Sequence, residues 1–96
     1  MKVVRLLKNE KRLSREEYRR FSKGDLIFGE NACPEELNRW NIDDLEEAKK
    51  ELKKYRCTYE EDASMFNVTE YAIEIFEEDE DGEFVEGSYF QLTAEE

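Results

Sequence analysis

Six acidic side chains crowd the run Glu77-Glu78-Asp79-Glu80-Asp81-Gly82-Glu83. Carboxylates at that density suggest calcium coordination, acid–base catalysis, or a surface that meets cations on another molecule. If Gly82 takes the invariant glycine place of an EF-hand loop, Glu77, Asp79 and Asp81 fall at ligand positions 1, 3 and 5. Position 12, which must supply a bidentate glutamate, is then Ser88, and the flanks pattern as strands where an EF-hand has helices. Acid–base work needs one carboxyl of a pair to be desolvated so that its pKa rises. An Asp-Gly turn tip keeps every carboxylate in water, so neither calcium nor catalysis is expected there.

A nucleophile is equally hard to find. The chain contains no histidine, which removes the commonest general base and the commonest zinc ligand. Cys57 is followed by Glu60, Glu61 and Asp62, neighbours that disfavour a thiolate. Cys57 and Cys33 are expected as structural thiols, with a disulfide between them left open. The expectation is a protein that is not an enzyme and holds no metal and no cofactor.

Basic residues offer one further chemistry. Arg12, Arg15 and Arg19 lie at helical spacings and would form a ridge, with Lys8, Lys11, Arg20 and Lys23 nearby. Such a ridge can contact phosphates. A net charge of −11 opposes a polyanion at long range, so the ridge is expected to pair with the acidic hairpin or to face water, without binding nucleic acid directly.

Charge is in fact sorted along the chain. Residues 1–29 hold nine Lys/Arg against four Asp/Glu, residues 30–56 six against eight, and residues 57–96 none against fourteen. Ninety-six residues are enough for a single domain, 1–96, and an aromatic content of 12% argues against disorder. Charges interrupt Met1-Lys2-Val3-Val4-Arg5-Leu6-Leu7-Lys8 where a signal peptide needs an apolar stretch, and no run approaches the roughly 20 apolar residues of a membrane span. The expected location is the cytoplasm.

The elements that must position these residues follow from patterning. Lys2–Leu7 reads as a short strand. Ser14 and Glu17 make a capping box, opening a helix that turns Tyr18 and Phe21 inward and ends near Gly24. Leu26-Ile27-Phe28 suits an edge strand or a buried connection, and Pro34 the first turn of a helical segment through Asn38. Ile42, Leu45, Ala48, Leu52 and Tyr55 recur as one apolar stripe, predicting a helix from Ile42 to Arg56 with Asn41 as N-cap and Trp40 closing over Leu45. Acids at its start and Lys49, Lys50, Lys53, Lys54 and Arg56 at its end complement the helix dipole. After a polar joint at Glu60–Asp62, Val68–Phe76 alternates as a strand, Asp81-Gly82 makes a tight hairpin turn, and Phe84 to Leu92 returns with a bulge at Gly87-Ser88. The fold class is α+β: a small antiparallel sheet with a C-terminal β-hairpin packed against one main helix.

The strand Val68–Phe76, the Asp-Gly turn and the segment Gly82-Glu83-Phe84-Val85-Glu86-Gly87-Ser88 resemble the endings of small acidic proteins encoded on phages and mobile elements of Gram-positive bacteria. Some proteins of that size and charge are anti-CRISPR inhibitors or other DNA mimics. The resemblance covers the last third of the chain and carries no motif from which a functional residue transfers. It implies a protein-binding inhibitor in the host bacterial cytoplasm. Its partner would be a basic nucleic-acid-binding protein such as a CRISPR effector. Charge placement alone selects the contact residues. Alternate strand residues lie about 6.6 Å apart on one face, so Glu70, Glu74 and Glu78, extended by Glu83 and Glu86, could imitate a line of phosphates. Glu77, Asp79, Glu80 and Asp81 complete the acidic set, and Tyr89, with Tyr59 and Phe90, supplies aromatic contacts. The competing expectation is an accessory domain without inhibitory role, a homodimer in which basic N-terminal and acidic C-terminal faces meet.

Overall fold

Two long strands form the spine of the molecule. In the computed structural model, which describes residues 1–83 and 90–96, β1 (Lys2–Ser14) and β4 (Met65–Glu77) run antiparallel over their whole length. Lys2 lies opposite Glu77 at one end and Ser14 opposite Met65 at the other. Between them in sequence come α1 (Arg15–Arg20), α2 (Asp25–Phe28), β2 (Glu35–Asn41), a 3-10 turn (Ile42–Asp44), α3 (Leu45–Leu52) and β3 (Thr58–Asp62). The short β5 (Phe90–Thr93) closes the chain. The described strands form one antiparallel sheet in the order β2-β1-β4-β3, with β5 beside the second half of β4. The result is elongated, 48 × 26 × 17 Å.

Both faces of the central strands are covered, which explains why Val3-Val4-Arg5-Leu6-Leu7 reads as a nearly unbroken apolar run. On one face Val4, Leu6, Ile73 and Ile75 pack with Ala48 and Leu52 of α3, and Trp40, Ile42, Leu45 and Tyr55 close around them. On the other, Leu7 and Ala72 meet Ile27 of α2, while Leu13 and Val68 meet Leu26 with Tyr18, Phe21 and Phe66. Tyr18 stacks on Phe66 with ring centroids 3.9 Å apart.

Several local expectations change. The first strand does not stop at Leu7: pairing with β4 carries Lys8–Ser14 on as strand, overriding a charged stretch of low β-propensity. The capping box is present, Ser14 Oγ accepting from the Glu17 amide and the Ser14 amide donating to Glu17 Oε1, both at 3.1 Å. Its helix stops at Arg20, and Gly24, at φ 99°, instead opens the single turn of α2 that Leu26-Ile27-Phe28 occupies. The segment after Pro34 is a strand rather than a helix, held by β1 despite its polar residues. The long helix is shorter than its stripe: Ile42–Asp44 is 3-10, α3 ends at Leu52, and Lys53–Arg56 lie beyond it.

Two turns also differ. Glu60–Asp62 is no joint but part of β3, joined to β4 through Ala63 and Ser64 at φ 51° and 69°. That is the pair of left-handed residues a two-residue hairpin needs, supplied without the usual Asn-Gly. At the other end of β4, Gly82 alone among the described residues has positive φ, 80°. Gly82 N–H donates to the Asp79 carbonyl (3.0 Å) and Asp79 N–H to Glu83 O (2.8 Å). These bonds close a three-residue loop with a glycine bulge, in place of the two-residue turn centred on Asp81-Gly82. The bulge expected at Gly87-Ser88 lies outside the described residues.

Candidate docking surface

The acidic residues singled out by charge divide into three groups once placed. Glu70 is one that the structure removes from the surface altogether: it is 0% exposed, the buried charged residue of the core. It sits on the α1–α2 face of β4, where its Oε2 accepts from Gly24 N–H (2.6 Å) and Tyr59 O–H (2.6 Å) and its Oε1 from Leu26 N–H (3.0 Å). A carboxylate between two backbone amides clamps α2 to the sheet, and Asn9 reinforces the clamp by donating to the Leu26 carbonyl (2.8 Å). Glu70 therefore cannot belong to a phosphate-like row. Tyr59 is withdrawn with it, because its hydroxyl points inward.

Glu74 and Glu78 form a second group, tied into a ladder of ion pairs across three strands. Arg5 donates to Glu74 and to Glu36, each at 2.7 Å. Arg39 reaches Glu36 at 3.0 Å and Glu78 at 3.7 Å. Burial opposes ionisation of Glu36, but the hydrogen bonds from Arg5 and Arg39 prevail and hold its carboxyl below the usual range. Nothing local in the sequence marks Arg5 and Arg39 as the partners of these acids. The signal lies in register, Arg5 opposite both Glu74 and Arg39, and register is not visible before β2 is known as a strand.

The third group is the loop that ends the long axis. Asp79 Oδ1 accepts from the amides of Asp81 and Glu83, both at 2.9 Å, so one of the acids is spent on fixing the shape of the loop. Glu80, Asp81 and Glu83 are exposed, and among the described residues none of Asp79, Glu80, Asp81 and Glu83 has a cation within ion-pair distance. Glu77, half-buried, lies at the root of the loop. Glu86 and Tyr89, the remaining expected contacts, lie outside the described residues.

The basic ridge is not one ridge. Arg12 is on β1 and Arg15 and Arg19 on α1. Arg12 meets Asp62 at 3.4 Å and Arg15 meets Glu61 at 3.2 Å, so these cations pair with β3, at the opposite end of β4 from the acidic loop. Lys23 lies 5.0 Å from the Tyr59 ring centroid and pairs with Glu96.

Two reactive groups, Cys57 and Tyr59, are held neutral by their surroundings. Both cysteines are free, Cys33 exposed and Cys57 buried. Burial pushes the Cys57 thiol up, and its sulfur accepts from Tyr71 N–H at 3.3 Å. Burial, then the hydrogen bond to Glu70, pushes the Tyr59 phenol well above its ordinary range. Among the described residues no three His, Cys, Asp or Glu side chains gather as a metal site, and no helix is long and apolar enough to cross a membrane. Comparison with protein-family models, curated proteins and solved structures finds no match for this chain.

Proposed function

We propose that this chain is a non-enzymatic binding protein of the bacterial cytoplasm whose acidic loop occupies a basic nucleic-acid-binding groove of a partner protein, in the manner of an anti-CRISPR inhibitor or DNA mimic. The observation that carries this reading is the set Asp79, Glu80, Asp81 and Glu83. It lies at one end of an elongated domain, is fixed by internal hydrogen bonds, and has no cation paired with it among the described residues. Carboxylates held apart from their own cations keep their field for a partner, and fields of that kind steer encounter and register. β4, backed by α3, serves in this reading as the mount. Glu70 and Glu74 contribute through the fold instead of through contact.

The test is a pull-down from bacterial lysate with the wild-type chain and with the triple variant Glu80→Gln/Asp81→Asn/Glu83→Gln. A basic protein should be retained by the wild type, released by added duplex DNA, and not retained by the variant. Retention that survives both the DNA and the substitutions would sink the mimic reading.

A further inference from the structure

The two edges of the sheet are built differently. At β2 the ladder is broken by a bulge at Leu37, Glu35, Glu36 and Arg39 line the strand, and the Asn38 side chain occupies the Arg39 amide at 2.8 Å. Those are the devices that keep an edge from pairing with another chain. β5 has none of them. Phe90-Gln91-Leu92-Thr93 carries no charge, Phe90 is 57% and Leu92 37% exposed, and among the described residues the strand pairs with β4 alone. Ala94 N–H turns inward to the Tyr71 carbonyl (2.9 Å), so by the antiparallel alternation the amides of Gln91 and Thr93 turn outward.

Beside this open edge runs a groove of about 390 Å³ between β5 and α3, floored by Leu92 and Ala94 and walled by Lys49, Lys50, Lys53 and Arg56. Lys49 is 3.7 Å from Glu46 and Arg56 3.5 Å from Glu95, whereas Lys50 and Lys53 have no ion pair among the described residues. The acidic loop does not cancel this local positive field. Thr93 lies opposite Ala72, and Glu77, where the loop begins, is roughly 17 Å further along β4 at about 3.3 Å per residue. That separation is about two screening lengths of about 8 Å at physiological salt.

We propose that the β5 edge and this groove receive an extended acidic segment of a partner protein, by strand addition. Its backbone pairs with the outward amides of Gln91 and Thr93, and the side chains it turns to the α3 face alternate apolar groups beside Phe90 and Leu92 with carboxylates that meet Lys50 and Lys53. A nucleic acid fits less well, because its unbroken row of phosphates would run against Glu46 and Glu95, whereas a peptide places its charges at intervals. A second copy paired β5 to β5 would bring two sets of α3 cations together. The surface is distinct from the acidic loop and independent of the function proposed for it.

The test uses fluorescence anisotropy with a labelled, end-capped peptide of about eight residues, about one strand in length, in which every second residue is alternately valine and glutamate and threonine fills the places between, titrated into the full chain at low salt. Saturable binding is expected, and it should weaken about tenfold or more in Lys50→Glu/Lys53→Glu, a loss of about 1.4 kcal/mol. It should disappear in Gln91→Pro, which blocks an outward amide that an edge strand can spare. Phe90→Asp, at an exposed position, gives a second loss should the proline variant unfold, as thermal unfolding would reveal. The same peptide with lysine in place of glutamate should not bind. No binding to the wild type, or equal binding to Gln91→Pro, overturns the proposal. So does a single-stranded RNA that displaces the peptide and still binds Gln91→Pro, which would assign the groove to nucleic acid. Self-association abolished by Gln91→Pro would assign the edge to a second copy. The triple variant Glu80→Gln/Asp81→Asn/Glu83→Gln should bind the peptide as the wild type does, so failure here and failure of the mimic reading are distinguishable.

Discussion

Glu70 and the acids of the Asp79–Glu83 loop come from one strand and the loop that follows it, yet they meet opposite environments. Around Glu70 three donors converge, two of them backbone amides of a single helical turn, and water is excluded. In the loop the donors are again backbone amides, but they are taken by Asp79, and its neighbours are left to solvent. The difference teaches that an acidic side chain on this scaffold is structural where the backbone offers unpaired N–H groups, and available where those groups are already satisfied. Sequence position does not separate the two cases. The fate of local backbone hydrogen bonds does.

The largest expected effect lies on the buried side. Glu70→Ala leaves the amides of Gly24 and Leu26 and the hydroxyl of Tyr59 without their acceptor in a water-free site. Each buried donor left without an acceptor costs about 1–3 kcal/mol, so losing the common acceptor of three removes a large part of the roughly 5–15 kcal/mol that holds a domain together. Urea unfolding should show that loss, with amide exchange at Leu26 accelerated beyond the general rise. A loss below about 1 kcal/mol, the range of ordinary single substitutions, would mean that the clamp contributes little and that the contrast is one of exposure alone.

Tyr59 sharpens the same side. Tyr59→Phe removes one hydrogen bond to a charged group, worth about 1.5–3 kcal/mol, and leaves both amides bonded. The pH dependence has a definite sign. Folding raises the Tyr59 phenol above its ordinary 10.0 and the Cys57 thiol above its ordinary 9.0. Both groups are therefore favoured in their neutral forms in the folded state. Their contribution is complete below those ordinary values and is lost as pH rises from about 9 upward. Thermal unfolding followed across this alkaline range should show a falling midpoint, and Tyr59→Phe should flatten the part that begins near 10.0. An unchanged slope would remove Tyr59 from the coupling.

The sequence announced the parts of this contrast unevenly, for physical reasons. The capping box at Ser14, the apolar stripe from Ile42 to Tyr55 and the alternation of Val68–Phe76 are local signals, and all reappear in the packing, although the helix expected through Arg56 ends at Leu52. Glu70 was legible as one of an acidic series and not as a core residue, because its three donors come from Gly24, Leu26 and Tyr59, which only the tertiary fold brings near. β2 was hidden for the same reason: Glu35–Asn41 has a strand conformation because β1 offers it a ladder, not because its residues prefer one. The paired ends Arg12–Asp62 and Arg15–Glu61 depend on Glu60–Asp62 being strand, which three consecutive acids do not signal.

Ala63 and Ser64 show what such hidden pairing leaves behind. Both hold positive φ without the residue types that adopt it readily, and each carries an energetic penalty of about 1 kcal/mol. Ala63→Asn with Ser64→Gly installs the preferred pair for this hairpin and should stabilise the chain by about 1 kcal/mol. The gain should appear in the midpoint of urea unfolding without a change in slope. A loss would show that the turn does not have the geometry assigned to it.

On the exposed side, the smallest change in stability should accompany the largest change in binding. Glu80, Asp81 and Glu83 make no ion pair among the described residues and bury nothing, so converting them to Gln, Asn and Gln should move the unfolding free energy by no more than about 0.5 kcal/mol. Asp79 is left intact because its carboxylate holds the amides of Asp81 and Glu83. Relief of repulsion among neighbouring carboxylates would place any shift on the stabilising side, and most visibly at low salt. If the triple variant instead unfolds as readily as Glu70→Ala, the loop carboxylates are structural too. The distinction between a clamped acid and an offered one would then fail at the residues on which the proposed docking depends.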